Sequence, residues 1–208
     1  MTTLTADEIS GFFTRADGRY HFARWGRPIV PVVFGVDAAT LAVVKGAVEA
    51  VVALAGHRMA ETDPELGANL MIFVFRDWDE LVAVPNLDKL VEGLGPLVAR
   101  LTGQGAHHYR QFRFDPAGAI RACFSFVRIG GALAELPADA LALNEAARMI
   151  LCWSDRAFAG ASPLARADGV AVLRREVAAL IRAGYDPAMP VVAEDASHAL
   201  RLAARIGG

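Results

Sequence analysis

The residues best placed to carry chemistry lie in one stretch, which runs from Ala138 to Asp155. Within it, Glu145 directly follows Asn144, and Arg148 comes three residues later. In a helix, Asn144 and Arg148 would lie one turn apart on the same face. This is the spacing of the His-Glu-x-x-His motif, in which two histidines bind zinc and the glutamate acts as general base. The stretch therefore has the frame of a metal-binding helix.

The side chains in that frame do not suit a metal ion. An asparagine amide is a poor zinc ligand, and the guanidinium of Arg148 repels a cation. The longer frame His-Glu-x-x-His-x-x-Gly-x-x-His places Leu151 at the glycine and Ser154 at the third ligand, followed by Asp155. We therefore predict that this helix holds no metal and no cofactor and carries no catalytic residue.

Two interpretations of Glu145 and Arg148 remain open. They could form an ordinary ion pair on the surface of a helix, which stabilises a helix by about 0.2–0.5 kcal/mol. Alternatively, Glu145 is held inside an apolar helix by Arg148, whose charge compensates the carboxylate. In both interpretations Arg148 is the partner of Glu145.

The elements that must position these residues can be predicted from the hydrophobic pattern. Good helix formers follow Pro137 and Asp139, and Leu141, Ala147 and Leu151 recur near helical spacing, so a central helix is expected at about 138–152. The strands are predicted at 28–34 on a sheet edge, at 68–75 in the sheet centre, and at 111–114 and 119–128 as a hairpin. Helices are predicted at 5–15, 38–54, 87–101, 169–183 and 191–206, with Thr5, Asp37 and Asp168 as N-caps. The expected fold is α+β, a mixed sheet packed by helices.

The end of the chain adds a second recognisable pattern. Tyr185-Asp186-Pro187 forms a rigid turn between the last two predicted helices. Together with the Ala138–Asp155 stretch, this tail resembles a bacterial family of unknown function. Its members resemble zincin-type metalloproteases and often carry Glu-Glu-x-x-Gln in place of the zinc motif. The present chain departs from them at Asn144, Arg148, Leu151 and Ser154.

The resemblance implies a zincin-like fold in one domain, residues 1–208, with residues 1–27 as an N-terminal helix and arm. It also implies that the fold persists while the metal is lost, so that the former active-site cleft binds a protein or a small ligand. The residues expected to line that binding site are Asn144, Glu145, Arg148, Ser154 and Asp155.

Two alternatives come from other functional classes. A metal-independent hydrolase could use Glu145 with one of His57, His107 and His108 and with Ser125 or Ser154, although no sequence motif brings them together. A homodimeric structural or interaction protein would use an apolar surface, for which Trp25, Trp78 and Trp153 are candidates.

Composition excludes several partners. The net charge of −2 over 208 residues argues against nucleic-acid binding, and no apolar run reaches the length of a membrane-spanning helix. The acidic N-terminal segment does not resemble a signal peptide, so a cytoplasmic location is expected, although relatives of the family are sometimes exported. Cys123 and Cys152 are expected to be free and buried, with one disulfide between them left open.

Two further groups of residues receive a structural interpretation. The segment 15–27 interleaves arginines with aromatic residues and could grip phosphates, but an arm packed on the body explains it better. His107 and His108 would point to opposite faces of a strand, which makes a shared metal ion difficult.

Overall fold

A computed structural model of the protein describes residues 4–207. Its strands are β1 (Phe22–Ala23), β2 (Pro31–Phe34), β3 (Leu70–Phe75), β4 (His108–Phe114), β5 (Ile120–Arg128), β6 (Leu164–Ala167), β7 (Val170–Leu173) and β8 (Val192–Ala193). Its α-helices are α1 (Ala6–Phe13), α2 (Ala38–Leu54), α3 (Leu87–Leu90), α4 (Leu94–Gly103), α5 (Ala138–Met149), α6 (Arg175–Tyr185) and α7 (Ser197–Gly207). Two 3-10 helices, Trp78–Ala83 and Gly131–Glu135, lie between them.

The largest sheet has four strands in the order β2-β3-β5-β4. Strands β2, β3 and β5 are parallel, and β4 pairs antiparallel with β5 at one edge. The prediction of β2 as an edge strand and of β3 as an inner strand is confirmed. The predicted hairpin is also confirmed, but β4 begins at His108 rather than at residue 111. The fold is therefore α+β with a mixed sheet.

Apolar side chains cover both faces of this sheet. On one face, α2 and α5 pack together over Ile72 and Ile120, and α2 contributes buried valines such as Val48. On the other face, Trp78 and the helices α3 and α4 pack against Phe126. Since each face has its own cluster, the inner strands are buried on both sides, as their continuous apolar runs predict.

Helix α5 lies where the sequence places it, from Ala138 to Met149. Its buried face consists mostly of small residues, Ala142, Ala146 and Ala147, which allow α2 to approach closely. The same buried face includes Glu145, whose side chain is only 6 % exposed. The surface interpretation of Glu145 is therefore wrong.

The segment after α5 differs from the prediction. Asp168 does not cap a helix at 169–183; instead β6 and β7 form an antiparallel hairpin, and α6 begins only at Arg175. Asp168 and Gly169 both have positive φ, 50° and 83°, as a two-residue hairpin turn requires. The Asp-Gly pair is therefore the turn of a hairpin. The hairpin lies beside the central helix, since β7 packs against α5.

The last helix is also shorter than predicted. It begins at Ser197 rather than at residue 191, because Val192 and Ala193 pair with β1. That pairing fixes the N-terminal segment on the body, where Phe22 and Trp25 are almost fully buried. The interpretation of this segment as a packed arm is confirmed.

The Tyr185-Asp186-Pro187 turn connects the arm to the central helix. The hydroxyl of Tyr185 donates to the carbonyl of Ile150 at 2.8 Å and accepts from the backbone N–H of Trp25 at 3.3 Å. Asp186 accepts from the backbone N–H of Ala188, as expected for a turn. In the described part of the chain, no helix combines the length and the apolar character needed to cross a bilayer.

Gly35 and Gly46 form a matched pair for testing the geometry of this sheet. Gly35 follows β2 with φ of +81°, and a Cβ there would lie 1.9 Å from the carbonyl oxygen of Val74. Gly35→Ala should therefore lower the free energy of unfolding by about 2–4 kcal/mol in urea titrations. Gly46 lies inside α2 with open space around it, so Gly46→Ala should raise that free energy by about 0.5–1 kcal/mol. Equal effects of the two substitutions would contradict the described end of β2.

Candidate functional site

Glu145 is the centre of a polar cluster between α5 and the sheet. Its Oε1 atom lies 2.8 Å from Nδ1 of His108 and accepts a hydrogen bond from the Asn144 amide at 2.9 Å. Its Oε2 atom accepts from the hydroxyl of Ser125 at 3.3 Å and lies 3.7 Å from the guanidinium of Arg110. The carboxylate is therefore contacted by β4, β5 and its own helix.

The contact with His108 has the distance of an ion pair but not the alignment of a hydrogen bond. The same holds for the buried Nη1 atom of Arg110, which has no hydrogen-bond partner among the described residues. The short distances show that Glu145 is contacted across the helix–sheet interface by the imidazole of His108 and the guanidinium of Arg110.

The surroundings of Glu145 act on its acidity in opposite directions. Burial raises the pKa of the carboxyl, but His108, Arg110 and Arg148 lower it more strongly, so its pKa lies well below the usual 4.5. Glu145 is therefore a charged, fully engaged carboxylate at neutral pH. A general base needs a pKa near the working pH, and the pKa of Glu145 lies far below neutral pH.

Arg148 is not the direct partner of Glu145, which corrects the sequence-based expectation. Its Nε atom donates to the side-chain oxygen of Asn144 at 3.2 Å, and its guanidinium lies over the ring of Phe158 at 4.8 Å. Burial and the nearby charge of Arg110 lower the pKa of Arg148 to about 10, against the opposing effect of Glu145. Within residues 4–207, no carboxylate lies within ion-pair distance of Arg148.

Sequence reasoning missed Arg110 and named His108 as a candidate only in the hydrolase alternative. The predicted hairpin began at residue 111, so neither residue was assigned to the strand that packs over Glu145. The available signal was the alternation along the strand: His108, Arg110 and Phe112 share one face of β4, and that face looks toward α5.

Ser154 and Asp155 do not contact Glu145; they tie the N-terminal segment to the end of α5. The hydroxyl of Ser154 donates to the carbonyl of Gly11 at 3.3 Å, and its backbone N–H donates to Phe12. The carboxylate of Asp155 accepts from the backbone N–H of Ala16 at 3.1 Å. Of the five predicted binding-site residues, only Asn144, Glu145 and Arg148 form one cluster.

His108 lines two open clefts beside this cluster. The first, which we call the β4 cleft, has a volume of about 610 Å³ and lies between β4, Arg15 and Asp155. The second, the hairpin cleft, has a volume of about 720 Å³ and lies between α5 and the β6–β7 hairpin. Asn144 and Arg148 line the hairpin cleft, whereas Ser154 and Asp155 line the β4 cleft.

The residues present do not fit a zinc ion in the His-Glu-x-x-His frame. Asn144 and Arg148 stand where that frame would have its two histidines, and the Nε atom of Arg148 donates to the side-chain oxygen of Asn144. Among residues 4–207, no group of three histidine, cysteine, aspartate or glutamate side chains is arranged to hold a metal ion. We therefore assign no step to a metal.

Of the groups named for a metal-independent hydrolase, Glu145, His108 and Ser125 lie in one cluster, but they do not form the serine-to-histidine hydrogen bond that activates a nucleophile. Ser125 is fully buried and donates to Glu145 rather than to a histidine. His57 contacts the carbonyl of Arg27 at 2.9 Å, at the C-terminal end of α2. Cys123 and Cys152 are free and buried, as predicted, and burial raises the pKa of both thiols, which makes them poor nucleophiles.

The tryptophans give no support to the homodimer hypothesis. Trp25 and Trp78 are each 1 % exposed, and their indole N–H groups donate to backbone carbonyls inside the fold. Trp153 stacks on Phe13 and donates to the carbonyl of Ala147. The part of the hypothesis that rested on these residues is wrong, and the oligomeric state itself stays a prediction.

Comparison with protein-family models, with curated proteins and with solved structures finds no match to this chain. The site must therefore be interpreted from its own geometry.

Glu145→Gln tests the role of the buried carboxylate. The substitution removes the charge that compensates Arg110, so it should lower the free energy of unfolding by about 2–3 kcal/mol at pH 7. Because the folded pKa is below 4.5, the stabilisation by Glu145 is complete above pH 4.5 and is lost as the pH falls toward the folded pKa. The difference between the wild type and Glu145→Gln should therefore shrink below pH 4.5.

Urea titrations at pH 7 and pH 4 measure this difference. Glu49→Gln on the exposed side of α2 is the matched control and should change stability by less than about 0.5 kcal/mol at either pH. A difference that grows on acidification, or a neutral effect of Glu145→Gln at pH 7, would show that the carboxylate is not held as described.

Proposed function

We propose that this chain is a non-catalytic, zincin-like domain that binds a ligand in the hairpin cleft, beside the former metal-binding face of α5. The observation that carries the proposal is the position of Asn144 and Arg148. They occupy the two ligand positions of the helix, contact each other, and line an open cleft.

The order of the elements supports the zincin-like interpretation. A mixed sheet with an antiparallel edge strand is covered on one face by two helices, α2 and α5, and the second of them carries the Glu145 frame. The bonded side chains of Asn144 and Arg148 share one helix face, as two metal ligands of such a helix would.

The state of Glu145 supports the absence of catalysis. Hydrolysis in zincins depends on a metal that lowers the pKa of bound water to about 7, with a glutamate free to take the proton. Here Glu145 contacts His108, Ser125 and Arg110 and has a lowered pKa. A carboxylate so engaged cannot serve as the base.

The size of the hairpin cleft supports a binding role. Ligand sites in proteins have volumes of roughly 300–1,000 Å³ and combine apolar walls with a few polar groups. The hairpin cleft, at about 720 Å³, has that size, with Leu136, Phe158 and Val170 on its walls and Arg148 and Asn144 among its polar groups.

Ala165→Trp tests the binding role by filling the cleft. Ala165 is exposed on β6 and lines the hairpin cleft, so an indole there would occupy the ligand volume without disturbing the core. In a fragment screen by ligand-observed NMR, compounds that bind the wild type should lose at least about tenfold in affinity for Ala165→Trp. Ala167→Trp, on the same strand but outside the cleft, is the control and should keep the affinity.

Two results would contradict the proposal. Fragments that bind both tryptophan variants equally would place the site elsewhere. Stoichiometric zinc in the purified protein, measured by atomic emission, together with loss of stability on treatment with EDTA, would show that the helix still holds a metal.

A further inference from the structure

The charge balance around α5 is unequal. Arg110 and Arg148 both lie in the cluster, and the charge of Arg110 lowers the pKa of Arg148. Among the described residues, Glu145 is the one carboxylate that contacts the cluster. The carboxylate of Glu145 lies within ion-pair distance of two residues of β4, His108 and Arg110. One positive charge, that of Arg148, is therefore left without a counter-ion from the described residues.

The hairpin cleft itself shows the same excess. Its charged side chains, besides His108, are Arg148, Arg166 and Asp139, which sum to one positive charge. Arg148 is half-buried, whereas Arg166 and Asp139 are exposed. Since water screens exposed charges, the uncompensated charge of this cleft is concentrated at Arg148.

The guanidinium of Arg148 is held in a fixed orientation. Its Nε atom donates to Asn144, and the ring of Phe158 lies against its face at 4.8 Å. Neither of its terminal nitrogens takes part in a hydrogen bond recorded among residues 4–207. The two terminal N–H groups form the parallel pair of donors that a carboxylate accepts.

The walls of the cleft determine which kind of chemical group can be attached to a carboxylate that binds Arg148. Leu136 is 45 % and Val170 57 % exposed, although both are large apolar side chains, and both line the hairpin cleft. Phe158 and Leu141 lie on the same walls. Exposed apolar residues gathered around one opening are typical of a binding surface.

We propose that the hairpin cleft binds a carboxylic acid with an apolar body, with the carboxylate on Arg148 and the body between Leu136, Phe158 and Val170. The inference rests on the proposed binding function of this cleft and names its ligand class. A monoanion is preferred over a phosphate dianion because the cleft has one positive charge in excess. No covalent step is involved.

4-Phenylbutyrate and its neutral amide, 4-phenylbutyramide, form the matched pair of probes. Both have the same apolar body, and they differ in the charge of the head group. In calorimetric titrations of the wild-type chain, the carboxylate should bind about 10- to 100-fold more tightly than the amide, as expected for hydrogen bonds to a charged group. Equal affinities of the two probes would overturn the proposal that the cleft selects a carboxylate head group. This test needs no variant of the protein.

The variants Arg148→Met and Arg166→Met test which of the two arginines binds the carboxylate of 4-phenylbutyrate. Arg148→Met keeps the apolar stem of the side chain and should weaken 4-phenylbutyrate about 10- to 100-fold while leaving the amide within about threefold. Arg166→Met removes an exposed charge from the same cleft and should weaken the carboxylate by less than about threefold. A loss confined to Arg166→Met would place the carboxylate on the hairpin and overturn the role of Arg148.

The outcomes separate this inference from the proposed function. If fragments bind in an Ala165→Trp-sensitive way but the carboxylate has no advantage over the amide, the cleft is a binding site and the ligand class is wrong. If no probe or fragment binds in an Ala165→Trp-sensitive way, both statements fail.

Discussion

A charged carboxylate buried inside an apolar helix is the constraint on which the rest of this structure depends. Burying an ionised group without compensation costs far more than the net stability of a domain, so Glu145 must find cations and hydrogen-bond donors. Its own helix supplies one hydrogen bond, from the amide of Asn144, and the more distant charge of Arg148, whose guanidinium lies over the ring of Phe158. The remaining compensation comes from the sheet, through His108, Arg110 and Ser125.

This requirement links the helix to the register of the sheet. His108 and Arg110 reach Glu145 because β4 presents alternate residues to α5, and β4 is fixed by its pairing of Tyr109 with Phe126. A shift of β4 by one residue would turn both side chains to the other face and leave Glu145 without them. The contacts of Glu145 with β4 thus favour one register of the sheet. Arg148, which forms no ion pair with Glu145, lines the hairpin cleft instead.

Much of the framework could be predicted from the sequence, because local signals and tertiary packing agree there. The capping box of Thr5 and Glu8, the Asp37-capped α2 and the doubly buried β3 all formed as expected. The prediction failed at Asp168, where a good N-cap residue is followed by glycine. The pair Asp-Gly is an equally strong hairpin signal, and the two cannot be separated by local pattern alone.

The site was predicted only in part, for a different physical reason. The helix position of Glu145 follows from periodicity, but its partner depends on which strand packs over it, and no local pattern gives that contact. Spacing along the helix suggested Arg148; the fold supplied His108 and Arg110 from a strand that begins before the predicted hairpin.

A double-mutant cycle measures the central claim directly. Glu145→Gln is combined with His108→Ala in one cycle and with Arg148→Ala in a second, and the free energies of unfolding are determined at pH 7. The account predicts a coupling of about 1–3 kcal/mol between Glu145 and His108, and one below about 0.5 kcal/mol between Glu145 and Arg148. A strong coupling to Arg148 with none to His108 would contradict it.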